Sequence, residues 1–363
     1  MNQTKFEINF DALLHNVNEF RKLLDPETKI MAMVKAFAYG AGAVEVASFL
    51  ESNGVDYLAV ACVDEGIELR AAGVALPVIV LNPNPLFFDA IIKYSLEPDL
   101  FSAESFDTFV STAEKYGLTN YPVHIKIDSG MHRLGFLPDE IDNLAEKIKG
   151  KKCIKIVSVF SHLAGSGNPD LDNFSKNQID VFLSACSKLH SATDYPFMKH
   201  ILSSSGIARM PQYQFDMVRP GIGIYGAKTF AGIALKPVSK FSSVISQIKS
   251  VKGGEPVGYE CADVSENDRE IAILSVGYAD GLKRKMGNRG GELFIKGFRV
   301  PIVGNICMDM CMADVTGIGA EIGDEAEIFG NNISINEVAE ICGTIPYEIL
   351  TSISGRVKRV FLQ

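Results

Sequence analysis

Lys35 closes the apolar run KIMAMVK and is followed at once by the glycine-punctuated segment AFAYGAG. An ammonium desolvated by Met31, Met33 and Val34 has its pKa pushed down, which frees the amine as a nucleophile toward a carbonyl or an aldehyde cofactor. The same residues also allow a plain strand-end lysine whose head bends into water. Other polar groups follow short apolar runs in the same way: Asp128 and Arg133 in KIDSGMHRLG, His162 in FSHLAG, Ser203 and Ser204 in ILSSSG, and Arg219, Gly221 and Ile222 in VRPGIGIYG. Taken singly, His162 also suits a satisfied core histidine, and an arginine after a strand often pairs with a helix carboxylate.

The elements that must position these groups alternate. Apolar, β-branched runs at 29–35, 57–62, 77–82, 97–101, 122–127, 153–160, 198–203 and 215–218 are separated by stretches with helical spacing such as EGIELRAAG, ESFDTFVSTAEKYG and DNFSKNQIDVFLSACSKLH, the pattern of βα units and a parallel sheet. DALLHNVNEFRKLL, residues 11–24, predicts a further helix ahead of the first of them. Eight such runs predict a closed (β/α)₈ barrel, with a doubly wound sheet as the other architecture this pattern allows. After about residue 235 the texture becomes alternating segments such as REIAILSVGYAD and GELFIKGFRVPIVG, which predict an antiparallel β domain. The expected division is therefore a barrel over 1–235 and a β domain over 236–363, with residues 1–10, which contain the alternating KFEINF, able to pair with the second domain. Barrel active sites sit at the C-terminal strand ends, where the polar groups gather. The small-residue loop after the seventh strand and the Gly-Ile-Gly turn after the eighth offer free N–H groups for phosphate. A nucleophilic lysine beside a phosphate cradle is what pyridoxal phosphate requires.

Composition narrows the partners. The chain has 363 residues, 47% of them hydrophobic, and a formal charge of −9 from 44 acidic and 35 basic residues. No Lys/Arg cluster of the kind that tracks a phosphate backbone occurs, so nucleic acid is not an expected partner. Its 7 cysteines are scattered without CxxC pairs, which argues for reduced thiols and against a zinc site. No apolar run of membrane-spanning length occurs and no signal-peptide pattern opens the chain, so a cytoplasmic protein is expected.

The segments MVKAFAYGAG, HIKIDSGMHRLGF, MVRPGIGIYG, SVGYADG and VPIVGNICMDM, in this order, make the chain resemble alanine racemase, a pyridoxal-phosphate family with a (β/α)₈ barrel and a C-terminal β domain. The resemblance implies interconversion of L- and D-alanine, with D-alanine supplied for peptidoglycan. It implies that Lys35 carries the cofactor and serves as one base, and that Tyr259 of PVGYE, 19 residues before Tyr278, is the second base on the opposite substrate face. It assigns phosphate to Tyr39, Ser204 and the backbone of Gly221 and Ile222, and the pyridine nitrogen to Arg219. His162 stands against the ring, and with Arg219 it would supply the positive environment a phenol needs to act as a base. Arg133 would bind the cofactor's phenolic oxygen and the substrate carboxylate, helped by the backbone at Met308. Lys126 stands where many members carry a carbamylated lysine, the other reading being an unmodified lysine facing Asp128. The family's active site is shared between subunits, which implies a homodimer in which Tyr259, Tyr278 and Met308 act in trans.

Three positions depart from the family pattern. Ser203 replaces a frequent asparagine, Asn305 a frequent arginine near the substrate channel, and Gly355 a tyrosine that narrows the pocket in some members. The last implies tolerance for serine, so a broad-specificity or serine racemase is the nearest alternative. A decarboxylase of basic amino acids and a non-catalytic pyridoxal-phosphate carrier are more distant ones.

Overall fold

The structure is a computed structural model that describes residues 4–363; residues 1–3 of the segment expected to pair with the second domain lie outside the described residues. Phe6 and Ile8 are fully buried while Lys5, Glu7 and Asn9 are not, and this period-two alternation makes Lys5–Asn9 a strand, β1, with one face on the core. Asn9 then caps the helix Phe10–Arg21, its Oδ1 accepting from Ala12 N at 2.8 Å.

The eight predicted runs all form strands: β2 (Lys29–Met33), β3 (Tyr57–Val60), β4 (Val78–Val80), β5 (Glu97–Leu100), β6 (Tyr121–Lys126), β7 (Ile154–Phe160), β8 (Met198–His200) and β9 (Met217–Val218). They pair in parallel, in chain order, and β9 returns to β2. Backbone bonds from Asp216 N to Lys199 O (3.1 Å) and from Arg219 N to Leu202 O (2.9 Å) close the remaining seam between β8 and β9. Closure explains the near-continuous apolar runs: every residue of β3 and β4 is buried, because one side faces the barrel interior and the other the helices. The doubly wound alternative is thereby excluded. Helices at Val63–Ala71, Ala103–Lys115 and Asp172–His190 fall on the predicted stretches, the first two followed by Gly73 and Gly117 in the left-handed region.

Beyond residue 238 the strands are antiparallel: β10 (Ser239–Val251), β11 (Pro256–Val257), β12 (Asp263–Val264), β13 (Arg269–Leu274), β14 (Glu292–Ile295), β15 (Phe298–Val303), β16 (Cys311–Asp314) and β17 (Glu325–Phe329). The order β13-β16-β15-β14-β17-β10, with β10 also pairing β13, makes a second closed ring. β18 (Lys358–Leu362) runs parallel to β1, and β1 runs antiparallel to β10, so residues 5–9 extend this ring's sheet rather than the barrel. Two helices that the alternating texture hid, Ile335–Cys342 and Pro346–Thr351, precede β18. Their punctuation is nonetheless present: Ser334 Oγ caps Asn336 N, Gly343 takes φ 69°, and Pro346 opens the second helix.

Candidate active site

The segment after Lys35 departs from ordinary backbone geometry. Ala36, Phe37, Ala38 and Tyr39 all have φ between 51° and 55°, so residues 36–39 make one turn of left-handed helix, closed by Ala38 N to Val34 O and Gly40 N to Ala36 O at 2.9 Å each. Each non-glycine residue in this region costs roughly 1–2 kcal/mol, on the order of 4–8 kcal/mol for the turn, and strain of this size concentrates at functional sites. Glu65 fixes one end, accepting from Ala36 N and Ala61 N at 2.7 Å each. Gly40 fixes the other: its φ is 83°, and a Cβ there would lie 2.4 Å from Leu350 O. The turn thus presents Lys35 at its start and Tyr39 at its end to one cavity of about 230 Å³ at the barrel mouth. That volume lies below the roughly 300–1,000 Å³ of drug-sized sites, which suits a small cofactor.

Lys126, Arg133, His162, Ser203, Ser204, Arg219, Gly221 and Ile222 line the same cavity. The cradle at its far wall is made by Ser204 Oγ, which accepts from Gly221 N at 2.9 Å and Gly223 N at 3.2 Å. Among the described residues, Ile222 N and the N–H groups of Ser204 and Ser205 have no backbone partner. A Cβ at Gly221 would meet Tyr39 Oη at 2.6 Å, so only glycine lets the phenol and the backbone approach one point. Unspent N–H donors, a hydroxyl and a phenol converging there fit a phosphate. A lysine amine lining the same cavity fits an aldehyde.

Charge is concentrated around the floor. Burial lowers the Lys35 pKa, and Arg133 lowers it further, against a raising effect from Glu65. Arg219 is 4% exposed and donates to His200 Nδ1 and Ser161 O at 2.5 Å each and to Ile201 O at 3.2 Å. Burial pulls its guanidinium down to about 9, so it remains a cation at neutral pH. His162 is pushed down to about 3, by burial first and then by Arg219 and the other surrounding cations. Its ring is therefore neutral at physiological pH, which corrects the expectation that it adds positive charge for Tyr259. Asp128 does not serve Lys126 either. Its Oδ1 accepts from the N–H groups of Gly130, Met131 and His132 at 2.9–3.0 Å and so shapes the loop that carries Arg133. The carboxylate that acts on Lys126 is Asp99, fully buried and without a hydrogen-bond partner, held up to about 8 by desolvation against the pull of Lys126 and Arg219. Desolvation in turn lowers the Lys126 pKa.

Tyr259, Tyr278 and Met308 lie elsewhere. They line a separate concavity with Glu260, Arg284 and Cys307, and are 68%, 46% and 54% exposed. Tyr259 is displayed between Gly258, Glu260 and Cys261, all at positive φ. Asn305 Nδ2 holds that loop, donating to Tyr259 O at 3.1 Å and to Glu260 Oε2 at 3.2 Å, so the residue in the frequent arginine position acts here on the tyrosine loop. The GYADG and NICMDM segments are joined by Tyr278 N to Cys307 O and Ala279 N to Met308 O, 3.0 Å each. Gly277 is required where they cross, since a Cβ would lie 2.2 Å from Met308 O. One chain does not bring these three residues together with Lys35.

Two further residues escaped the sequence reading. Tyr347 lines the Lys35 cavity, its ring centroid 5.9 Å from that of Tyr39. A Cβ at Gly355 would meet nothing within 4 Å, and Tyr347 supplies a phenol to the cavity wall. Glu65 was legible only as part of a helix.

Fold and donor set are those of a barrel protein fit to hold a small phosphorylated carbonyl compound. Residues 8–229 match the model of the alanine racemase N-terminal domain, and residues 238–361 that of the alanine racemase C-terminal domain. Alanine racemase 2 of Caldanaerobacter subterraneus subsp. tengcongensis is 35% identical over 373 residues, covering 99% of this chain and 95% of that one. Among solved structures, alanine racemase of Clostridium difficile 630 superposes with a TM-score of 0.94 at 35% identity, over 100% of this chain and 96% of that one. The Bartonella henselae alanine racemase with covalently bound pyridoxal phosphate gives 0.90 at 29% identity over 100% of both chains. The chain belongs to the alanine racemase family.

Proposed function

We propose that the protein interconverts L- and D-alanine with pyridoxal phosphate as cofactor, as a homodimer whose active sites combine the barrel mouth of one subunit with the β domain of the other. The observation that carries this reading is the division of the site: a cavity around Lys35 whose lining suits the cofactor, and an exposed patch around Tyr259 that shares no lining residue with it among the described residues. When bound, pyridoxal phosphate supplies an electron sink that acidifies the α-hydrogen of an amino acid joined to it.

The residues divide the remaining work. Lys35, whose pKa burial lowers, carries the cofactor and moves a proton at one face of Cα. The Tyr259 phenol of the partner protomer moves the proton at the other face. Arg133 binds the substrate carboxylate and the cofactor's phenolic oxygen, with Met308 N–H helping to hold the carboxylate and Tyr278 beside it. Arg219, a donor only, offers N–H to the ring nitrogen and cannot accept a proton from a protonated ring. That weakens the sink and limits side reactions such as transamination. The neutral His162 would stand against the ring, so the positive charge near Tyr259 would come from Arg219 and Arg133. Carbamylation of Lys126 belongs to the same reading: a neutral amine adds CO₂ with loss of a proton, and neighbouring cations favour the anion formed. D-alanine made in the cytoplasm would serve peptidoglycan.

Incubation with L-alanine in deuterated water tests the reading. The expected product is D-alanine carrying α-deuterium, formed until both enantiomers are equal; α-exchange without inversion, or inversion undiminished in Tyr259→Phe, overturns the two-base scheme.

A further inference from the structure

Five successive barrel elements each contribute one polar side chain to a continuous path beneath the cavity. Glu97 at the start of β5 contacts His124 of β6, with Oε2 2.7 Å from Nε2. His124 Nδ1 lies 2.6 Å from Ser158 Oγ of β7, and Ser158 Oγ lies 2.8 Å from His200 Nε2 of β8. His200 Nδ1 then lies 2.5 Å from Arg219 Nη1, just after β9. His124, Ser158 and His200 are all 0% exposed. The path follows strand register, since His124 pairs with Ser158 and Phe160 with His200.

Counting donors leaves a single arrangement. Arg219 only donates, so His200 Nδ1 carries the lone pair and Nε2 the proton. His200 Nε2–H therefore donates to Ser158 Oγ. The Ser158 hydroxyl has no hydrogen-bond neighbours among the described residues other than the two histidines, and a buried hydroxyl proton needs an acceptor, so it donates to His124 Nδ1. That leaves the His124 proton on Nε2, donated to the Glu97 carboxylate. We propose that Glu97, His124 and Ser158 are positioning residues of the active site, forming with His200 a one-way relay that anchors the His200 ring through its Nε2–H and aims Arg219 at the cofactor's ring nitrogen. The relay runs from a cation to an anion through two neutral rings and a hydroxyl, each dipole aligned with the next. Burial and Arg219 together hold His200 well below its ordinary pKa, which keeps that ring neutral as the arrangement requires. Phe160 holds the plane of the chain, stacked on His200 at 4.8 Å and under Arg219 at 5.2 Å. The role of Arg219 at the ring nitrogen rests on the proposed function; the relay itself does not.

The test combines ¹⁵N labelling of the 6 histidines of the full-length protein with steady-state kinetics. Ring-nitrogen shifts, with and without pyridoxal phosphate, should show His124 and His200 as neutral Nε2–H tautomers. Ser158→Ala, which leaves the His200 Nε2–H without its acceptor, should shift the His200 Nε2 resonance and lower kcat about tenfold, equivalent to about 1.4 kcal/mol, with KM within about twofold. Ser158→Thr, which keeps the hydroxyl, should restore both. Glu97→Gln keeps an acceptor but removes the charge, and should lower kcat about threefold while both tautomers persist; it carries the test if Ser158→Ala does not fold. A wild-type His200 protonated on Nδ1, or a Ser158→Ala or Glu97→Gln protein with unchanged kcat, overturns the proposal. A wild-type protein with the expected tautomers but no racemase turnover would sink the proposed function and leave the relay standing.

Discussion

If each active site takes Lys35 from one subunit and Tyr259 from the other, two inactive variants should repair each other. Lys35→Ala removes the cofactor anchor from the barrel cavity, and Tyr259→Phe removes a proton donor and acceptor from a patch that does not touch that cavity. In a hybrid of the two, one site combines the intact Lys35 of the Tyr259→Phe chain with the intact Tyr259 of the Lys35→Ala chain. The other site carries both lesions. Random reassortment makes about half of all dimers hybrid, each with one whole site of two, so mixed samples should recover about a quarter of wild-type turnover. Losing one general acid–base group costs roughly 10²–10⁴-fold, so that recovery stands at least about 25-fold above the background of either parent. The assay is co-expression with two affinity tags, isolation of the doubly tagged hybrid, and measurement of D-alanine formed from L-alanine. A hybrid no more active than its parents, with both chains folded and the dimer intact, would refute the shared site and require a rearrangement within one chain.

The cationic floor should also show itself in acid stability. His162 sits at about 3 when folded against 6.5 when unfolded, so below pH 6.5 the unfolded chain binds a proton that the folded one refuses. Stability is therefore complete above pH 6.5 and falls as the pH drops toward 3, by about 1.4 kcal/mol per pH unit for that proton. Urea midpoints across this window should decline less steeply in His162→Asn; an equal slope would contradict the assignment. Tyr347 should set substrate size. Tyr347→Ala should narrow the preference for L-alanine over L-serine in kcat/KM by about tenfold or more, the usual worth of one small group in a pocket, while Gly355→Ala should change neither preference nor stability beyond about 0.5 kcal/mol. An unchanged preference in Tyr347→Ala would place the specificity determinant elsewhere.

Much of the barrel was legible because burial on both faces leaves uninterrupted apolar runs, as in YLAV and VIV, and because Gly73 and Gly117 punctuate the helices between them. Lys35, Arg219 and Gly221 were legible as polar or small residues at strand ends. The left-handed turn was not: AFAY has no glycine until Gly40, and nothing in those residue types prefers φ near 53°. Residues outside the segment, among them Glu65 and, far along the chain, Leu350 and Arg359, meet it there. Asp128 was misjudged for a related reason. Two residues beyond Lys126 means the same face only while the strand continues, and β6 ends at Lys126, freeing the carboxylate to accept from its own loop. The relay left a faint trace, since His124 and Ser158 interrupt otherwise apolar strands, but their pairing depends on register that periodicity does not supply. Tyr347 was hidden by the missed helix that carries it.

The strained turn also sets a timetable. Its far end is clamped by Leu350 O against Gly40 and by Arg359 Nε donating to Gly40 O at 3.0 Å across 319 residues of sequence, with the Arg359 guanidinium 5.6 Å from the Phe37 ring. During synthesis at roughly 5–20 residues per second, Arg359 is made about 15 s to 1 min after Gly40. Until then Glu65 holds the start of the turn but its far end lacks this clamp. The barrel can close early on the ribosome, but the wall that carries Lys35 and Tyr39 gains its far clamp only once Arg359 is made. A truncation that removes only β18 therefore deletes a strand of the second domain and unclamps a turn of the first.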